Sequence, residues 1–393
     1  MPPVPAKQVS LVLICGEPSG DQLGGQLMSA LKSLEGGNVT ISGVGGMAMA
    51  AQGLQSLFPL DTTAVMGLRE VVPAIPAILA RVREAADFAV QTKPDAVVLI
   101  DSPDFTHRIA RRIKDLAPGI RTINYVAPQV WASRAYRAKK MTRYFDLVLA
   151  LLPFEAPFFE KYGLKSVFVG HPVIERQARM SGGEALRQRL GIASDAPLLC
   201  VLPGSRRNEI RFILPAFRDA VAILAKKIPG LVTILPTVPH VASRVREAVQ
   251  DWPAPLHVLE SEGDKFAAFD AADAALAASG TVTTELALAR TPMVVAYKMG
   301  WLTFTLAYPL FKLKYFTLVN LLLDRGAVPE LLQAGATGET LAEAVLPLLT
   351  DKEKAAQQVR DLDEAARLLG EGSEAPSLRA ARAILDFVRT SAS

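Results

Sequence analysis

Short, continuously apolar runs alternate with amphipathic stretches along most of this chain, and the series begins twice. Residues 9–14, 40–44, 96–100, 122–126, 147–150 and 166–169 read as buried strands, with helical patterns between most of them, notably at 81–92 and 106–114. After a polar, glycine-containing stretch at 177–191, a second series runs through 197–202, 231–235, 256–259, 274–277 and 293–297. Such runs lack the alternation of a half-exposed sheet. Both faces must be covered, which marks a parallel sheet wound with helices. The expected fold is therefore α/β: two doubly wound, Rossmann-like parallel-sheet domains facing a cleft, followed by a helical tail. Expected boundaries are 1–175, 176–340 and 341–393, with the break around 172–192. The tail reads as helices at 341–349, 352–369 and 377–389, interrupted by the glycine- and proline-containing stretch 370–376. Ligands of such sheets gather at the C-terminal ends of the strands.

Composition removes several classes of function. The 393 residues are 50% hydrophobic and 21% charged, with a net charge of +4. That excess suits phosphate-bearing partners or an anionic membrane and is too small to argue for nucleic acid. Cys15 and Cys200 lie far apart in apolar runs, so neither a disulfide framework nor a metal is expected, and a reducing compartment is. The histidines 107, 171, 240 and 257 are scattered without zinc-ligand spacing. The opening MPPVPAKQVS has no long apolar core, so no signal peptide is expected.

Four loops at expected strand ends could carry chemistry. Gly16-Glu17-Pro18-Ser19-Gly20-Asp21 follows the first strand and opens a helix. Glycine lets a ligand approach the backbone and the helix N-terminus favours anions, although the spacing is not GxGxxG. A tight turn capped by Ser19 or Asp21 is an equal reading. The segment LIDSPDF (99–105) ends a strand in two carboxylates, Asp101 and Asp104. An inverting glycosyl transfer needs one carboxylate to accept the proton of the attacking hydroxyl; a helix cap would use only one of them. Asp95, at the start of that strand, reads as structural. In Gly204-Ser205-Arg206, glycine, hydroxyl and arginine at a strand-to-helix turn form a diphosphate cradle or a solvated surface turn. Ser279-Gly280-Thr281 leads into a helix whose first turn carries Glu285, either a ribose acceptor or an acid complementing the helix dipole.

Two apolar stretches stand apart, residues 71–79 and WLTFTLAYPLFKLKY at 301–315. Neither offers the roughly 20 uninterrupted apolar residues of a membrane span. The lysine and aromatic mixture of the second suits a membrane interface, and core packing accounts for it equally.

Taken together, GEPSGDQLGG (16–25), GVGGMAMAAQG (43–53), VMGLREV (65–71), KPDAVVLIDSPDF (93–105), NYVAPQVWASR (124–134), LPGSRRNEI (202–210), ASGTVTTELAL (278–288) and NLLLDRGAVPELLQ (320–333) resemble the lipid-A-disaccharide synthases. These are glycosyltransferases of GT-B fold, and the resemblance runs from about residue 10 to about 335. It implies transfer of 2,3-diacylglucosamine from UDP-2,3-diacylglucosamine to 2,3-diacylglucosamine 1-phosphate (lipid X). The products are the β-1,6-linked disaccharide 1-phosphate and UDP, formed with inversion and without a metal or other cofactor. Asp104 corresponds to the candidate base, with Asp101 beside it. Glu17, Ser19, Gly20, Asp21, Met66, Gly67, Gly204, Ser205, Arg206, Ser279, Gly280, Thr281, Glu285 and Asn320 fall at substrate-binding positions. Asp95 also matches a recurrent aspartate of the family, and Trp131 lacks the second tryptophan that often follows it. The resemblance further implies a cytoplasmic enzyme attached peripherally to the inner face of the Gram-negative inner membrane, and it allows a homo-oligomer assembled through the C-terminal part. Two other readings stand beside it. One is another UDP-sugar enzyme of GT-B type, a UDP-N-acetylglucosamine epimerase or a lipid II-type transferase. The other is a nucleotide- or lipid-binding protein without catalysis.

Overall fold

The computed structural model describes residues 8–60, 68–130, 136–298 and 314–390. The chain forms two compact units, one of residues up to Pro172 together with those from Gly372 onward, the other Val173–Glu371. In the first, β1 (Val9–Cys15), β2 (Val39–Val44), β3 (Ala96–Ile100), β4 (Thr122–Tyr125), β5 (Leu147–Ala150) and β6 (Ser166–Phe168) form one sheet in the order β2-β1-β3-β4-β5-β6. Every pairing is parallel. Leu11 to Cys15 and Ala96 to Ile100 are wholly buried, because helices cover both faces; this is why those runs carry no polar residue.

The second unit repeats the design with β7 (Leu198–Leu202), β8 (Val232–Pro236), β9 (Leu256–Leu259), β10 (Ala274–Ala278), β11 (Met293–Tyr297) and β12 (Glu330–Leu332), ordered β12-β11-β10-β7-β8-β9. Its core has two sides. Leu199, Val201, Leu276 and Val294 meet Phe217 and Val221 of the helix Arg207–Lys227 and Val345 of Gly338–Thr350. Leu198, Cys200, Ala275 and Ala277 meet Phe266, Phe269 and Leu286. The strand period of two thus divides one apolar run between two half-cores.

Both sheets reverse strand order next to their first strand. In the first unit the chain winds β1 to β2 and returns on the other side of β1 as β3; in the second it winds β7 to β8 to β9 and returns beside β7 as β10. At such a switch point the two flanking loops diverge and leave room for a ligand. Register brings Cys15 opposite Ile100 and Leu202 opposite Ala277, so the loops that follow them emerge side by side within each unit.

An aspartate at the start of a strand recurs three times. Asp95, before β3, gives its N–H to the Ser10 carbonyl and accepts the Ser10 N–H on Oδ2 at 2.9 Å. Asp146, before β5, does the same with Thr122, and Asp273, before β10, with Leu198, each accepting at 2.8 Å. Each carboxylate supplies the acceptor that the ladder lacks at its rim, and so pins the register of two strands. The last helix, Pro376–Thr390, packs Ala380, Ala381, Ile384 and Leu385 into the core of the first unit, against the helix Pro18–Glu35. Gly338–Thr350 and Lys352–Leu368 stay with the second unit. No described helix is long and apolar enough to cross a membrane.

Candidate active site

In the first unit, the turn between β3 and the helix Pro103–Leu116 is held in a costly conformation. Asp101 and Ser102 both have positive φ, 54° and 44°, a region that residues with a Cβ avoid at a cost of order 1–3 kcal/mol each. Side chains hold the turn in place. Asp101 Oδ1 accepts the Ser102 N–H at 2.8 Å and Oδ2 accepts the Ser19 hydroxyl at 3.0 Å. The Ser102 hydroxyl donates to Glu17 Oε1 at 2.8 Å, and Thr106 Oγ1 donates to the Asp101 carbonyl at 2.7 Å. Gly20 is where the two loops nearly touch: a Cβ there would lie 3.0 Å from the Cys15 Cβ and 3.1 Å from the Ile100 carbonyl oxygen. Burial, followed by the field of Asp21, pushes the Cys15 thiol up to about 12.

Asp104 occupies the first turn of the helix, exposed, and no described side chain pairs with its carboxylate. It lines a cavity of about 450 Å³ together with the polar Glu17, Ser102 and Arg108 and the apolar Ile75, Ile78, Leu79 and Phe105. The sequence-predicted residues Glu17, Ser19, Asp101 and Asp104 therefore come together. Asp21 does not join them. It is buried, with Gly46, Ala48 and Met49 donating their N–H groups to its two oxygens at 2.7 to 3.0 Å, so it caps the short helix Met47–Ala51. Met66 and Gly67 lie outside the described residues, as do residues 299–313 of the lysine and aromatic stretch and Trp131–Arg134.

In the second unit, the loops after β7 and β10 line another cavity of about 450 Å³, together with Arg176, Thr237 and Lys265. Gly204, at φ 101°, permits the turn, and a Cβ there would run into Glu209. Glu209 Oε2 accepts the N–H groups of Ser205 and Arg206 at 3.0 and 3.1 Å, while its Oε1 pairs with Arg206 Nη1 at 2.9 Å. An internal carboxylate thus occupies the anion-binding N–H groups at this helix start. Ser279, Gly280 and Thr281 line the same cavity. Glu285 is buried and doubly paired, with Arg176 Nη1 at 3.0 Å and Lys265 Nζ at 2.8 Å. Asn320 does not line this cavity: its amide donates to Val328 and Glu330 and accepts the Val328 N–H, all at 2.8 Å.

Sequence reading passed over Arg176, Thr237, Lys265 and Arg108. Arg176 and Lys265 lie in unremarkable helical surroundings, and only their convergence on Glu285 singles them out. Thr237 follows β8, and its Oγ1 is buried at the cavity wall without a hydrogen-bond partner among the described residues. A buried hydroxyl without a partner costs free energy unless something else supplies one.

The family described as lipid-A-disaccharide synthetase matches residues 11–384. The lipid-A-disaccharide synthase of Rhodospirillum centenum is 48% identical over 382 residues, 97% of this chain and 95% of that protein. That of Paramagnetospirillum magneticum is 47% identical over 381 residues, covering 96% and 97%. Among solved structures, the S. aureus MnaA–UDP co-structure superposes with a TM-score of 0.64 at 14% identity, covering 97% of each chain. Acinetobacter baumannii MurG gives 0.58 at 16% identity, covering 97% of this chain and 99% of its own. Likeness at that identity speaks to the α/β fold of GT-B type alone.

Proposed function

The chain belongs to the lipid-A-disaccharide synthase family, and on that premise we propose how its residues divide the work. The reaction is transfer of 2,3-diacylglucosamine from its UDP ester to 2,3-diacylglucosamine 1-phosphate, with UDP released and a β-1,6 link formed with inversion. Asp104 acts as the general base. Its carboxylate takes the proton of the acceptor's C6 hydroxyl as that oxygen bonds to the anomeric carbon, while the bond to the diphosphate breaks and UDP leaves with the electron pair. The observation that carries this reading is the exposed Asp104 carboxylate, paired with no described side chain, in a cavity that aliphatic residues also line. Asp101, already holding Ser19 and the Ser102 N–H, positions the turn from which Asp104 projects.

The cavity of the second unit takes UDP. Glu285 lies in the position to accept ribose hydroxyls, and Ser205, Arg206 and the Ser279–Thr281 turn lie at the diphosphate. Arg206 and Lys265 offset the charge that builds on the leaving group. For this to happen Glu209 must yield the Ser205 and Arg206 N–H groups to the phosphate. The lipid acceptor and the excess of basic residues support peripheral attachment to the inner face of the inner membrane. Replacing Lys312 and Lys314 with glutamate is expected to weaken sedimentation with anionic vesicles, and unchanged sedimentation would count against that stretch as the contact.

The deciding assay is UDP release from UDP-2,3-diacylglucosamine in detergent with EDTA, with and without the 1-phosphate acceptor. Acceptor-dependent release that survives EDTA is expected. Conversion of the sugar nucleotide without acceptor would point to an epimerase instead, and UDP binding without release to a non-catalytic protein.

A further inference from the structure

The geometry points to Arg108 as the residue that receives the acceptor's anomeric phosphate, one helical turn from Asp104; this rests on the reading of Asp104 as the base. Three arginines lie on the helix Pro103–Leu116 beyond Asp104. Arg111 lies over the Tyr144 ring, 4.7 Å from its centroid, and Arg112 pairs with Asp87 at 2.8 Å. Arg108 alone of the three lines the Asp104 cavity, and among the described residues no carboxylate pairs with it. Its Nε donates to the Asp104 carbonyl at 2.9 Å, which anchors the guanidinium beside the base and leaves the two terminal nitrogens for another acceptor.

The acceptor needs three kinds of wall, and this cavity has them. Asp104 suits a hydroxyl, the side chains of Ile75, Ile78 and Leu79 suit acyl chains, and a planar guanidinium suits the two oxygens of a phosphate monoester. The assignment also answers a problem set by the reaction. Donor and acceptor carry the same diacylglucosamine and differ only in what hangs on C1, a diphosphate ester or a monoester. A guanidinium beside the base reads the monoester's terminal phosphate, whose charge sits on one phosphorus with its oxygens free, and so selects which molecule presents its C6 hydroxyl.

The test measures initial rates at saturating donor with the 1-phosphate acceptor and with its dephosphorylated analogue. Arg108→Gln is expected to raise KM for the phosphorylated acceptor by about tenfold to a hundredfold. KM for the unphosphorylated analogue, KM for the donor and kcat at saturation should barely move, and Arg108→Lys should recover part of the loss. Equal losses on both acceptors, or no loss on either, would overturn the assignment. If the Arg108 difference persists while Asp104→Asn retains turnover, the base assignment falls and the phosphate contact stands. If Asp104→Asn is inactive and Arg108→Gln shows no difference between acceptors, only the phosphate contact falls.

Discussion

The two switch-point sites contain similar residues but treat their carboxylates in opposite ways. In the second unit Glu285 is buried between Arg176 and Lys265, and Glu209 is surrounded by two N–H groups and Arg206. In the first unit Asp104 is exposed, with no side chain among the described residues paired to it. A carboxylate neutralised by cations organises those cations for an anion and is poorly suited to accept a proton. An unpaired one at a helix start is free to do so. The contrast shows that carboxylate count says little about chemistry until the partners are known.

The strongest way to break this comparison is to neutralise Asp104. Asp104→Asn should lower kcat by about 10²- to 10⁴-fold, the usual contribution of a positioned general base, with the melting temperature unchanged. Turnover within a few-fold of wild type would leave the first unit without a base. Acid acts on the first unit through His107. His107 is buried against Tyr144 and Phe145, and burial, reinforced by Arg111 and Arg137, lowers its pKa to about 4. The unfolded chain, near 6.5, takes the proton first. The stability that comes from keeping His107 neutral is therefore fully present above pH 6.5 and is lost as pH falls toward 4, by about 3 kcal/mol. Denaturant titrations at both pH values should show that loss in wild type and much less of it in His107→Gln; parallel curves would refute it.

Glu285→Gln leaves Arg176 and Lys265 without their shared counter-charge. Because both cations are partly exposed, the expected cost is about 1–3 kcal/mol, read from the denaturant midpoint. UDP affinity should fall alongside it by about tenfold, and tight UDP binding by a destabilised variant would separate the two roles of the residue. The smallest effect concerns Thr237. If its hydroxyl, without a partner among the described residues, bonds the nucleotide, Thr237→Val should weaken UDP binding by about 2- to 10-fold without loss of stability. Unchanged calorimetric affinity would remove Thr237 from the nucleotide site.

Much of the fold could be read from one dimension. Continuous apolar runs such as 96–100, alternating with amphipathic stretches, point to strands covered on both faces, and the restart near 197 announces a second sheet. The loops that follow β1, β3, β7 and β10 could be picked out as well, because glycine, serine and carboxylates there interrupt the apolar pattern abruptly. The destination of the last helix could not. Its apolar face at Ala380, Ile384 and Leu385 would suit either core, and only packing assigns it to the first unit.

What the sequence alone determined is what depends on near neighbours: strand and helix period, the position of the loops at 16–21 and 204–206, and the presence of two aspartates just beyond β3; the cap expected from Ser19 or Asp21 is absent, because Glu17 takes the N-cap position and both side chains bond elsewhere. Tertiary structure decided which of those groups are already engaged. Asp21 and Asn320 are held by backbone groups, Glu285 by Arg176 from 109 positions away, and Asp104 by no described side chain. The reason is physical. Propensity and hydrophobic period act over a few residues, whereas the state of a charge is set by whatever the folded chain brings within about 4 Å of it.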